Sequence, residues 1–142
     1  MGEITHLVDT SAMIAYFKEE SGHNKFVELL ADSETILAMH LMNLGELYHI
    51  YNRVDGAAEA ERAWAKAMAC IRVVDIFDES FIKRVSRWKA TLSDHHPRKE
   101  SSWCDAFLAA AAEHYAVPLV TTDHGDFDPI EKAGLLQIEW LI

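Results

Sequence analysis

Cysteine is scarce in this chain: Cys70 and Cys104 are the only two among 142 residues. Two thiols do not make the disulfide framework of a small secreted protein, and their default role is that of small buried apolar side chains. Proline and glycine are also few, three and six, and nowhere do they gather into a linker. With no repeat and no low-complexity segment, the chain reads as one domain over residues 1–142. No apolar run approaches the ~20 residues of a membrane span. The opening "MGEITHLVD" has neither the basic nor the apolar segment of a signal peptide. These absences predict a cytoplasmic protein with reduced thiols and no membrane partner. Bases are in deficit too: 13 Lys and Arg face 23 Asp and Glu, for a formal charge of −10. That excludes a nucleic-acid binder working by bulk attraction. It leaves room for an enzyme whose acids gather metal ions and whose bases are concentrated in one place.

What is present is an alternation of short apolar runs with helical patterns. "ITHLVD", "TILAM", "IRVVDIF", "PLVTT" and "LQIEWL" read as strands. Between them lie helices such as "TSAMIAYFKEE", "HNKFVELLAD" and "LMNLGELYHIYNRV", the last with apolar residues at the three-and-four spacing of Leu44, Leu47, Tyr48 and Tyr51. "AAEAERAWAKAMA" is rich in helix formers, and Asp78 is placed to cap "ESFIKRVSRWKAT". Continuous rather than alternating strands, separated by helices, predict a three-layer α/β/α sandwich around a mainly parallel sheet. In such sheets ligands bind beyond the carboxyl ends of the strands.

The acids fall at that edge. Asp9 closes the first strand in "LVDTSAMIAYF", and Glu46 lies in the first turns of the helix after the second. Asp105 is in the first turn of the alanine-rich helix "WCDAFLAAAAEHYA". Asp123 follows the fourth strand, with Asp126 three residues on. Each has a plain alternative. Asp9 and Asp105 suit helix caps and first turns, Asp123 and Asp126 suit turns, and Glu46 suits a solvated helix face. In an open parallel sheet all of them can instead point into one acidic crevice, and spacing alone leaves both readings open. Carboxylates crowded in this way repel one another and take up protons unless a cation neutralises them. Mg²⁺ and Mn²⁺ favour such oxygen donors. An ion of that kind makes hydroxide from bound water and polarises a phosphoryl oxygen.

Four stretches in register, "LVDTSAMIAYF", "NLGELYHIYNR", "SSWCDAFLAAAAEHYAVPLVTTD" and "DFDPIEKAGLLQIEWLI", resemble PIN-domain ribonucleases of the VapC toxin type, the toxin half of a toxin–antitoxin pair. The resemblance spans essentially the whole chain. It implies a metal-dependent endoribonuclease that hydrolyses RNA phosphodiester bonds with metal-activated water, leaving 3′-hydroxyl and 5′-phosphate ends. It carries over Asp9, Glu46, Asp105 and Asp123 as the catalytic acids and as ligands of Mg²⁺ or Mn²⁺, with Asp126 as a further ligand. Thr10, Ser11 and Thr122 match the hydroxyls that support those acids. It also implies a homodimer and a small cognate antitoxin as partner. The chain departs from the family in "SWCDA", where relatives more often carry "SLADA", so Trp103 and Cys104 are bulkier than usual beside Asp105.

Six bases lie between Lys83 and Lys99, and residues 80–102 hold only Asp94 and Glu100 against them. Lys83, Arg84, Arg87, Arg98 and Lys99 are therefore candidates to contact RNA phosphates, the alternative being a solvated helix face and loop. The pair His95 and His96 reads as part of a polar loop rather than as metal ligands. Cys104 has no histidine at a diagnostic spacing to make it a nucleophile. A phosphoacceptor receiver domain also sets acids at strand ends. It would carry paired acids after the first strand and a lysine where "VTTD" places Asp123. A PIN fold that binds RNA or protein without catalysis is the remaining alternative.

Overall fold

The computed structural model describes residues 2–96 and 100–142. Its elements follow in the order β1 His6–Val8, α1 Thr10–Phe17, α2 His23–Ala31, β2 Leu37–His40, α3 Leu41–Asp55, α4 Ala57–Cys70, β3 Arg72–Val74, α5 Glu79–Asp94, α6 Trp103–Tyr115, β4 Leu119–Thr121, α7 His124–Lys132 and β5 Ile138–Trp140. The strands form one sheet in the order β3-β2-β1-β4-β5. Every pairing in it is parallel. The expected three-layer α/β/α arrangement is the one found.

Neighbouring strand residues divide between the two faces, as the two-residue period of a strand requires. Leu7, Ala38, Val74 and Leu119 face one core, shared with α5, α6 and α7. Val8, Leu37, Met39 and Val120 face the other, shared with α1 to α4. On α5 the buried set is Phe81, Val85, Trp88 and Leu92, a stripe at spacings of three and four. Each such side chain contributes about 1.5–3 kcal/mol when fully buried. The alanines of α6, Ala106 and Ala109 to Ala112, have almost no exposed surface. With only methyl groups between, α6 comes close enough to touch β1, β2 and β4. Its first turn therefore stands over the carboxyl edge at the middle of the sheet. Gly22, which precedes α2, has φ of 98°, and a Cβ there would meet that of Leu141 at 2.8 Å; glycine is the residue that tolerates both. Among the described residues no helix is long and apolar enough to cross a membrane.

The order of the sheet fixes where a ligand can sit. The chain moves from β1 outward to β2 and β3, then returns to the other side of β1 to lay down β4 and β5. The carboxyl ends of β1 and β4 thus flank the point where the winding reverses, which is where a crevice opens in an open parallel sheet.

Candidate metal centre

Asp9 occupies the N-cap position of α1, yet its carboxylate makes no capping bond to that helix. Its Oδ2 accepts hydrogen bonds from Thr121 Oγ1 at 2.7 Å and Ser11 Oγ at 3.0 Å. Thr121 Oγ1 in turn accepts from the Asp123 N–H at 3.0 Å, and Ser11 Oγ accepts from the Thr122 N–H at 3.4 Å. The two hydroxyls lace the end of β1 to the end of β4. Asp9 is only 4% exposed. Burial pushes its carboxyl up to about 6, against the pull of the two hydroxyl donors and with a further push from the charges of Glu46 and Asp123.

Asp105 is the third residue of α6, where the capping Ser102 Oγ accepts its N–H at 3.0 Å. Its carboxyl is pushed up to about 8, first by burial, then by the charges of Asp9 and Asp126; the Ser102 hydroxyl opposes this and Glu46 adds to it. Asp123 caps α7, its Oδ1 accepting the Asp126 N–H at 3.0 Å. Glu46 lies in the second turn of α3 and reaches the neighbourhood of Cys104. Burial, followed by the Glu46 charge, drives that thiol up to about 12. Cys104 is thus held as a thiol and is no nucleophile. All five acids expected at the crevice therefore act on one another: Asp9 on Asp105, Glu46 on both, Asp123 on Asp9 and Asp126 on Asp105.

The supporting hydroxyls are distributed differently from the expectation. Ser11 does hold Asp9. Thr10 does not; its Oγ1 donates to the Asn43 carbonyl at 3.0 Å. Thr122 enters through its backbone N–H, and the hydroxyl on Asp9 belongs to Thr121, because the pleat turns adjacent strand residues to opposite sides. Asn43 is a second residue that the sequence did not single out. Fully buried, it donates from Nδ2 to the Cys104 carbonyl at 3.1 Å. With Thr10 it ties the starts of α1, α3 and α6 together, and so fixes the positions of Asp9, Glu46 and Asp105. Its Oδ1 is buried with no hydrogen-bond partner among the described residues.

These donors are all anionic oxygens, the set that suits a hard divalent cation. Among the described residues no three His, Cys, Asp or Glu side chains are already gathered round a metal-sized space. The carboxyls of Asp9 and Asp105 are raised first by burial and then by the charges of the neighbouring acids, and a bound cation would offset the second of these. A divalent ion fits this donor set.

Two of the five basic candidates are in ion pairs. Arg84 Nη1 lies 2.5 Å from Glu113 Oε1, eight residues along α6 from Asp105, which is about 12 Å of helix. Lys83 pairs with Glu79 on its own helix at 3.1 Å. Arg87 is exposed, and Arg98 and Lys99 lie outside the described residues. His95 Nδ1 is 2.8 Å from the Thr91 carbonyl and His96 Nε2 is 2.9 Å from the Asp126 carbonyl. His124 stacks on Trp140, with centroids 3.8 Å apart, and contacts Asp128 at 2.9 Å.

A family model described as the PIN domain matches residues 6–132. No protein of curated function matches the chain. Among solved structures, VapBC2 of Rickettsia felis bound to a promoter DNA fragment is similar over 96% of this chain and 98% of that one, at 16% identity and a TM-score of 0.73. The Mycobacterium tuberculosis toxin VapC20, described as cleaving the sarcin-ricin loop, is similar over 94% and 98%, at 20% identity and a TM-score of 0.69. The DNA-bound VapBC of Salmonella typhimurium covers 99% and 100%, at 15% identity and a TM-score of 0.73.

Proposed function

The chain belongs to the PIN domain family, and from that premise we propose that it is a divalent-metal-dependent endoribonuclease, the toxin of a toxin–antitoxin pair. The observation that carries the reading is the convergence of Asp9, Glu46, Asp105 and Asp123 at the β1/β4 switch point, each within electrostatic reach of another. Asp9, Glu46, Asp105 and Asp123 would hold Mg²⁺ or Mn²⁺, with Asp126 beside them. Bound there, such an ion supplies a Lewis acid for a phosphoryl oxygen and a hydroxide-like water at neutral pH. Ser11 and Thr121 fix the Asp9 carboxylate by donating to its Oδ2. Asn43 and Thr10 hold the helix starts in register. No side chain of this set is a neutral-pH base of the histidine kind, and the acids serve by holding charge and orientation.

The VapBC neighbours are toxins crystallised with their antitoxins. By that likeness the partner of this chain is a small antitoxin, with an arginine presented to the acids in the forked geometry that carboxylates accept. The chain itself would be a homodimer. The test is RNA cleavage by Asp105→Asn, which keeps the size of the side chain and removes one ligand charge. Loss of Mg²⁺- or Mn²⁺-dependent cleavage in a folded variant is expected, since a lost ligand costs several kcal/mol of transition-state stabilisation. Retained cleavage would remove the site.

A further inference from the structure

Two residues before Asp105, at the first position of α6, Trp103 is 54% exposed. An indole is among the costliest side chains to leave in water, and here it stands at the start of the helix whose third residue is Asp105. It is also held in place. Lys89 Nζ lies 5.2 Å from the ring centroid. That ammonium is itself fixed by the Ser101 carbonyl at 2.6 Å and Glu100 Oε1 at 3.1 Å, and the Lys89 side chain is only 13% exposed. Ser101 is tied to α5 a second time, its N–H donating to Ser93 Oγ at 3.1 Å and its hydroxyl to the Lys89 carbonyl at 2.9 Å. The segment that launches Trp103 is therefore clamped, and the ring is presented before any ligand arrives. A preset aromatic surface loses little freedom on binding.

We propose that Trp103 is a positioning residue on which an unpaired nucleobase of the RNA stacks, beside the phosphodiester held at the acids. This rests on the nuclease reading above and names a contact of its substrate. The physical case is one of charge. The chain carries −10 overall, the crevice is lined with carboxylates, and Lys83 and Arg84 are paired with Glu79 and Glu113. An aromatic face adds a contact to which this acidic surface is no obstacle. Every base has a π-face, so stacking holds the strand without reading its sequence. A base must leave its duplex to be reached, so the contact also favours unpaired RNA.

The experiment measures cleavage of an end-labelled single-stranded RNA by wild type, Trp103→Phe and Trp103→Ala under saturating Mn²⁺, together with sedimentation velocity of each protein. Stacking present in both ground and transition states raises KM and spares kcat when lost. Trp103→Ala is expected to raise KM about tenfold, within the range of one base–aromatic stack, with kcat within about threefold of wild type; Trp103→Phe should recover most of the loss. Abasic substitution within three nucleotides of the cleaved bond should reveal one position at which the alanine change no longer matters. An unchanged KM in a folded Trp103→Ala protein overturns the proposal, as does a KM effect that no abasic position removes. A variant that only loses its self-association makes Trp103 a contact between copies and overturns it equally. Wild type that neither binds nor cleaves RNA overturns the nuclease reading itself, and the stacking role with it.

Discussion

Asp9→Asn should stabilise the metal-free protein while abolishing its function. The carboxyl of Asp9 moves from an ordinary value of 3.8 to about 6, chiefly through burial. That gap corresponds to about 3 kcal/mol of disfavour for the charged form in the fold. Below 3.8 the group is protonated in folded and unfolded chains alike, and no penalty exists. As pH rises the unfolded chain releases its proton first, and the penalty is complete once pH passes 6. Asparagine keeps the size and an acceptor for Thr121 and Ser11 but carries no charge. In EDTA at pH 8 the variant should therefore be more stable than wild type by about 2–3 kcal/mol, and at pH 4 by only about 0.5 kcal/mol. The charge of Asp9 is also the second cause that raises Asp105, so Asp105 should titrate at lower pH in the variant. Urea unfolding at the two pH values reads the first effect, and carboxyl NMR titration the second. A variant less stable than wild type at pH 8 without metal, or a difference independent of pH, would refute the idea that burial of charge dominates at this position.

Other outcomes follow from the same geometry. Mn²⁺ should raise the melting temperature of wild type, by an amount equivalent to about 2.7 kcal/mol at ~100 times Kd, and the rise should shrink in Asp9→Asn; a flat titration of wild type would count against a metal centre. Thr121→Val strips a donor from a buried carboxylate, so urea unfolding should show a loss of about 1.5–3 kcal/mol, with Asp9 titrating higher still. Arg84→Gln should leave the salt dependence of RNA binding unaltered, because its guanidinium is held at Glu113, eight residues along α6 from Asp105. Arg98→Gln and Lys99→Gln should flatten it by roughly 0.7 in log–log slope for each single-strand phosphate that is no longer neutralised.

The gathering of the acids was legible because each stands just after a strand or within the first two turns of a helix, positions that a parallel sheet brings toward one edge. The hydroxyls were not. Thr10, Ser11, Thr121 and Thr122 are adjacent pairs of similar chemistry, and which member faces Asp9 depends on the phase of the pleat and of the first helical turn. Asn43 opens the stretch "NLGELYHIYNR" but gave no sign of its role: a polar residue in the first turn of a helix reads as surface, and in the fold it is fully buried, bonded to the start of α6. The basic run was visible as charge, but ion pairing with Glu113 depends on a helix-to-helix contact that the run itself does not encode. Trp103 stood out in sequence as bulk beside an acid, and the fold turns that bulk outward.

The hydroxyl of Thr121 that holds Asp9 crosses a sequence separation of 112 residues. Nothing at the first strand can form this centre until the fourth has been made and has docked beside it. Closing so long a loop carries an entropic cost that only native strand pairing repays. A chain emerging from the ribosome would thus carry Asp9, Glu46 and even Asp105 with no crevice between them. The reversal in strand order that creates the crevice also makes its completion wait until β4 has been made.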